Sequence, residues 1–92
     1  MPEFQIETEE TEAGATLKLI GELDGATSDG VIVRFERALA AGCQQVTLNL
    51  KDVTFIDSAG LRAIILIQRR AAERGVSLVV APPPAPILEL LE

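Results

Sequence analysis

Along this chain the apolar positions switch repeatedly between two periods, and the switches mark out its elements. Phe4 to Glu7 alternate apolar and polar residues and run into a turn-prone acidic stretch from Glu9 to Gly14, which predicts a short strand entering a hairpin. From Thr16 to Leu23 the alternation is clearer. Leu17, Leu19 and Leu23 share one face and Lys18 and Glu22 the other, with Ile20 interrupting the polar set, so the second face of this strand is expected to be mostly buried. After Asp24 and Gly25, Thr27 or Ser28 is placed to accept a hydrogen bond from the free amides of a helix starting there. Val31, Phe35, Ala38 and Leu39 then recur at helical spacing, and Gly42 is the expected terminator.

Val46, Leu48 and Leu50 alternate again and predict a third strand. Lys51 to Asp57 reads as a short connection, anchored by Phe55 and Ile56, into a second helix that begins near Ala59. Its body, Leu61 to Ala72, carries Ile64, Ile65, Leu66 and Ile67 in a row and ends at Arg74 and Gly75. Four apolar residues in succession cover more than one helical face, so this helix is expected to be largely buried. Val76, Leu78 and Val80 form a fourth strand that Pro82, Pro83 and Pro84 stop, because proline lacks the amide proton a ladder requires. A third helix starts near Ala85 or Pro86, with Ile87, Leu88, Leu90 and Leu91 on its apolar side. The order is an α/β one. Its strand-helix-strand units imply right-handed crossovers in a parallel sheet, with the first strand antiparallel to the second. No internal repeat or linker divides residues 1–92, so one domain is expected.

Composition narrows the function. The chain has 92 residues, 48% of them hydrophobic, and its only aromatics are three Phe, so Leu, Ile, Val and Ala must fill a small core. A net charge of -6 without a basic cluster argues against nucleic acid, whose affinity comes largely from Lys and Arg contacts to phosphate. Arg69, Arg70 and Arg74 read as a solvated helix face. The lone Cys43, with no basic neighbour to activate it, reads as a small residue in the turn after the first helix. The chain shows no charged and apolar signal segment, which makes a cytoplasmic location the expectation. Its longest apolar run, Ala63 to Ile67, falls far short of the roughly 20 residues that span a bilayer.

In sheets of this kind partner and ligand sites gather beyond the carboxyl ends of the parallel strands. Two loops lie there and should sit side by side: Glu22 to Ser28, and Asp52 to Gly60. Ser58 falls where the second helix begins, among amides without intrahelical partners that carry partial positive charge. A phosphate on it would add about -1.5 to -2 charges at a position that tolerates them. Taken alone, an Asp57-Ser58 pair before a helix reads as a simple cap, and only a longer pattern can outweigh that. Hydrolysis by a Ser58 nucleophile is disfavoured, since the chain has no histidine to act as base and no Gly-x-Ser-x-Gly elbow. There is also no phosphate-cradling Gly-rich loop and no set of metal ligands.

The longer pattern weighs in favour of the phosphate. Val53-Thr54-Phe55-Ile56-Asp57-Ser58-Ala59-Gly60-Leu61 resembles the signature of the STAS-family anti-sigma factor antagonists, and Gly21-Glu22-Leu23-Asp24 followed by Ala26-Thr27 resembles that family's second-strand ending. The resemblance covers nearly the whole chain. It implies a STAS-like fold, a four-stranded mostly parallel mixed sheet packed with about three helices, and a binding protein instead of an enzyme. Ser58 would be the phosphate acceptor, and Asp24, Thr27, Asp57, Ser58, Ala59 and Gly60 the partner-binding set. The implied partner is an ATP-dependent anti-sigma factor serine kinase that captures only the unphosphorylated form, with a phosphatase to reset it. No cofactor, direct nucleic-acid contact or membrane insertion is implied. The alternative in the same fold is a non-switching STAS subunit of a lipid-transport or signalling scaffold complex. The family usually continues past the last helix, within which this chain ends. A monomer when free is the simplest oligomeric state.

Overall fold

The computed structural model describes residues 3–90. Its elements in chain order are β1 (Gln5–Thr11), β2 (Gly14–Leu23), α1 (Ser28–Ala40), β3 (Gln45–Ile56), α2 (Ser58–Glu73), β4 (Ser77–Ala81) and α3 (Ala85–Leu90). The strands form one sheet in the order β1-β2-β3-β4. β1 pairs antiparallel with β2, from Gln5 opposite Ile20 to Thr11 opposite Gly14, while β2-β3 and β3-β4 are parallel. This is the mixed α/β architecture expected from the apolar pattern.

One face of the sheet is covered. Leu17, Leu19 and Leu23 of β2 and Val46, Leu48 and Leu50 of β3 are buried together with Val31 and Phe35 of α1 and Ile64 and Ile67 of α2. The opposite face carries Thr16, Lys18, Thr47 and Asn49, which stay half-buried. Period-two alternation along the strands is what sorts these two sets. Ile87 of α3 joins the core, and Arg70 ties α2 to α1 through Glu36, Nη2 to Oε1 at 3.1 Å. The expected solvated basic face is therefore reduced to Arg69 and Arg74, because Arg70 is spent on the helix-helix contact. Cys43 is a free, half-buried thiol packed against the core just after α1. Gly42 ends that helix at φ +86°, a left-handed conformation that glycine adopts without cost. Among the described residues no helix is long and apolar enough to cross a membrane.

Three expectations need correction. First, Lys51–Ile56 is strand and not connection. The register slips between Lys18 and Ile20 and again between Gly21 and Glu22, each time placing one extra residue on β3. These bulges change the spacing of inward residues from two to three, so Leu50, Val53 and Ile56 are buried in turn. Ile56 anchors this stretch as expected. Phe55 does not, and stands 45% exposed. Second, α2 is amphipathic and not largely buried: Ile65 and Leu66 are 39% and 42% exposed. The sheet lies under one side of α2 and α1 beside it, leaving two sides uncovered. Third, Thr27 occupies the position before α1 without capping it through its side chain, and no cap bond comes from Ser28. The apolar side expected of α3 beyond Ile87 involves the side chains of Leu88 and Leu90 and all of Leu91, which lie outside the residues described.

Because Phe35 has no exposed surface at all, Phe35→Ala should cost about 3–5 kcal/mol of unfolding free energy in urea titration. Phe55→Ala should change it by no more than about 1 kcal/mol, as an exposed position does.

Candidate functional site

The ends of β2 and β3 bring the two loops together. Leu23 and Ile56 are paired at the last rung of the parallel ladder, and both loops leave the sheet there. The Asp57 N–H donates to the Leu23 carbonyl at 3.3 Å, tying the second loop to the first. Gly60 then passes so close to Leu23 that any Cβ on it would overlap the Leu23 carbonyl oxygen. On the other side, a Cβ on Gly25 would sit 3.8 Å from that of Ala59, an ordinary contact. Glycine at position 60 is thus a steric requirement for the loops to meet.

The first loop is a knot of short bonds. The Thr27 hydroxyl donates to the Glu22 carbonyl at 2.9 Å and accepts from the Asp24 N–H at 3.0 Å. The Asp24 carboxylate accepts from the Ala26 N–H at 2.9 Å, and the Asp24 carbonyl accepts from the Thr27 and Ser28 amides at 3.2 and 2.9 Å. The expected role of Thr27 as a cap is therefore replaced by a role in bracing the turn. With the hydroxyl turned back toward β2, the first amides of α1 are served by the Asp24 backbone instead.

The second loop is a helix start. Asp57 sits before α2 in an extended conformation, φ -102° and ψ -172°, and its Oδ1 accepts from the Gly60 N–H at 2.9 Å. This is the side-chain cap geometry that satisfies one of the free amides of a first turn. It leaves the Ser58 and Ala59 amides without an intrahelical acceptor. Ser58 itself is the first residue of α2 and is exposed, while Asp57 and Ala59 are half-buried and Gly60 is buried. Ser58 thus stands exposed at the positive end of a sixteen-residue helix.

All six residues singled out in the sequence thus fall in one place. Asp24, Thr27, Asp57, Ser58, Ala59 and Gly60 occupy two touching loops at one end of the sheet. The sequence reading missed Leu23 as more than a core residue, although its carbonyl is the junction between the loops. It also missed Phe55, whose exposed ring lies opposite Glu22 at the end of the ladder. The signal for Leu23 was present in the glycine three residues into α2. That for Phe55 was hidden by the bulges. Among the described residues no cluster of His, Cys, Asp or Glu is placed to hold a metal ion.

These features define a two-layer α/β domain whose most organised surface is a pair of braced loops presenting a serine at a helix start. The chain belongs to the STAS domain family, whose family model matches residues 5–92. A protein from Paenibacillus polymyxa named anti-sigma F factor antagonist is 33% identical over 90 residues, covering 97% of this chain and 77% of that one. Among solved structures, Mglu superposes with a TM-score of 0.77 at 29% identity, over 86% of this chain and only 20% of its own. The anti-sigma factor antagonist SpoIIAA in its unphosphorylated form gives a TM-score of 0.74 at 20% identity, over 96% of this chain and 80% of that one. SpoIIAA, a Bacillus cell fate determinant, has also been solved phosphorylated, with the same TM-score and identity. At that level of identity the likeness to SpoIIAA establishes shared fold.

Gly60→Ala should destabilise the domain by about 1–3 kcal/mol, because the added methyl must push the Leu23 carbonyl away. Asp57→Ala should cost about 1 kcal/mol through loss of the cap. Urea unfolding of both variants, with amide shifts of residues 22–27 read by NMR, should show the first loop moving only for Gly60→Ala.

Proposed function

We propose that this domain is an anti-sigma factor antagonist switched by phosphorylation of Ser58. The observation that carries the reading is the exposed Ser58 hydroxyl on the first turn of α2, beside two amides that Asp57 leaves unpaired. The name of the Paenibacillus polymyxa relative supports it, as does the existence of a phosphorylated form of SpoIIAA. In this reading the unphosphorylated domain presents Asp24, Thr27, Asp57, Ser58, Ala59 and Gly60 to an anti-sigma factor that is also an ATP-dependent serine kinase. Binding occupies the anti-sigma factor and frees its sigma factor.

The switch follows from electrostatics. Phosphate transfer replaces a neutral hydroxyl with about -1.5 to -2 charges. The helix end tolerates them, so the fold persists while the surface that met the kinase, already carrying Asp24 and Asp57, becomes more negative and loses its fit. A phosphatase returns the domain to its binding state. The domain acts as substrate and ligand and has no catalytic task of its own.

A second reading is a non-switching STAS subunit in a larger complex, such as a lipid-transport or signalling scaffold assembly. The likeness to Mglu shows only that a similar fold occurs as a fifth of a longer chain. Under that reading Ser58 remains a helix-end contact and carries no phosphate.

Incubation with ATP and the cognate anti-sigma kinase should add one phosphate, located on Ser58 by peptide mass spectrometry. Ser58→Ala should bind the kinase regardless of ATP, and Ser58→Glu should bind at least tenfold more weakly. Equal affinity of the two variants, or no phosphate on the folded protein, would leave the non-switching subunit as the better account.

A further inference from the structure

Ser58 and Arg62 stand four residues apart on α2, and both are exposed. Side chains at that spacing stack on one face of a helix, with Cβ atoms about 5–6 Å apart. Each Cα–Cβ bond leans toward the helix N-terminus, so the long Arg62 side chain is directed back over the turn that carries Ser58. Arg62 is also the first charged residue of α2.

The helix offers Arg62 no other anion. Its neighbours at three and four residues on either side are Ala59, Ser58, Ile65 and Leu66, and of these only Ser58 has a polar side chain. Arg62 borders an open hollow of about 450 Å³ whose other lining residues are Ala63, Ile65, Leu66 and Arg69, with no acid among them. Ion pairs among the described residues engage Lys18 with Glu7 and Asp52, and Arg70 with Glu36. None of them involves Arg62. A guanidinium keeps its charge at every pH a protein meets, so Arg62 carries a permanent positive charge that its own fold leaves unmatched.

The surroundings of Ser58 are otherwise acidic. Glu22, Asp24, Asp52 and Asp57 are the charged residues of the two loops, and Asp29 stands in the first turn of α1. Asp57 is committed to the Gly60 amide, Asp24 to the Ala26 amide and Asp52 to Lys18. A phosphate arriving on Ser58 therefore meets like charge from the loops, and opposite charge from the helix end and, one turn on, from Arg62.

We propose that Arg62 is the internal counter-ion of phosphorylated Ser58, a positioning residue that folds back over the first turn of α2 and holds the phosphate by charge-assisted hydrogen bonds. The inference rests on the proposed phosphorylation of Ser58. An anion placed N-terminal to a cation at this spacing is the favourable order for a helical ion pair. The guanidinium fork also matches the oxygens of a phosphate, which an ammonium meets only as a point charge. Phosphorylation then changes the surface in two ways. It adds negative charge, and it draws the first basic side chain of α2 into an intramolecular pair, so a partner loses a neutral hydroxyl and a free cation together.

The test uses the 92-residue chain with phosphoserine encoded at position 58, which requires no kinase. Phosphorus NMR follows the second ionisation of the phosphate, about 6 in an ordinary phosphoserine. Arg62 favours the doubly charged form and lowers this pKa, so Arg62→Gln should raise it by about 0.4, the size of one helical ion pair. Arg62→Lys should restore part of the loss. Arg69→Gln, on the same exposed side but about 16 Å along the helix from Ser58, should leave the pKa unchanged. The Arg62 Nε–H resonance should move with the same titration while that of Arg69 does not. Since both arginines are exposed, the circular dichroism spectrum should be the same in every variant. An unaltered phosphate pKa in Arg62→Gln, or an equal rise in Arg69→Gln, would overturn the proposal. Failure of the cognate kinase to modify Ser58 in the wild type would instead count against the proposed function, and it is separable because here the phosphate is encoded.

Discussion

The contact between Gly60 and the Leu23 carbonyl is the constraint around which the functional end of this domain is arranged. The first turn of α2 can stand over the end of β2 only because position 60 has no side chain. That approach lets the Asp57 amide reach Leu23 and so joins the loops. Asp57 is then held where its carboxylate can cap the helix through the Gly60 amide. Two consequences of one missing methyl, a close backbone approach and a capped helix, therefore place Ser58 at the rim facing solvent. The hydroxyl is presented by the fold itself and not by a mobile loop.

The bulges in β3 serve the same end. A strict period of two through Lys51–Ile56 would carry β3 past β2 without changing which residues face inward. Two extra residues on β3 instead turn successive side chains, so that Val53 and Ile56 reach the core while Phe55 is left outside. The cost is an exposed aromatic ring next to the loops. A protein-binding surface can use such a ring, since aromatic side chains contribute much of the contact energy at interfaces.

Much of this was legible in the sequence, for identifiable reasons. β2, α1 and the start of β3 obey simple periods, and their core residues follow from alternation or helical spacing. Asp57 before a helix and a glycine three residues later are local signals, so the cap could be anticipated. What was not legible depends on neighbours. Phe55 and Ile56 are both apolar, and only the shifted register against β2 decides which is buried. Ile64 to Ile67 form an unbroken apolar run, yet α1 and the sheet cover only part of α2 and leave Ile65 and Leu66 outside. Thr27 has the chemistry of a cap, but the nearby Glu22 carbonyl and Asp24 amide claim its hydroxyl first. In each case a tertiary partner overrides a correct local preference.

The distribution of charge along the sheet argues that its surfaces have separate tasks. Carboxylates gather on β1, where they keep one edge soluble and unpaired, and the basic residues of α2 stay off the stripe that overhangs β4. An excess of negative charge spread evenly would have guarded both edges. Its confinement to one leaves the other neutral and apolar. The loops at the ends of β2 and β3 are different again: short polar bonds brace them, and a single hydroxyl is left available. One sheet thus separates a polar, braced loop surface from an uncharged edge, because strand order sets the distance between them.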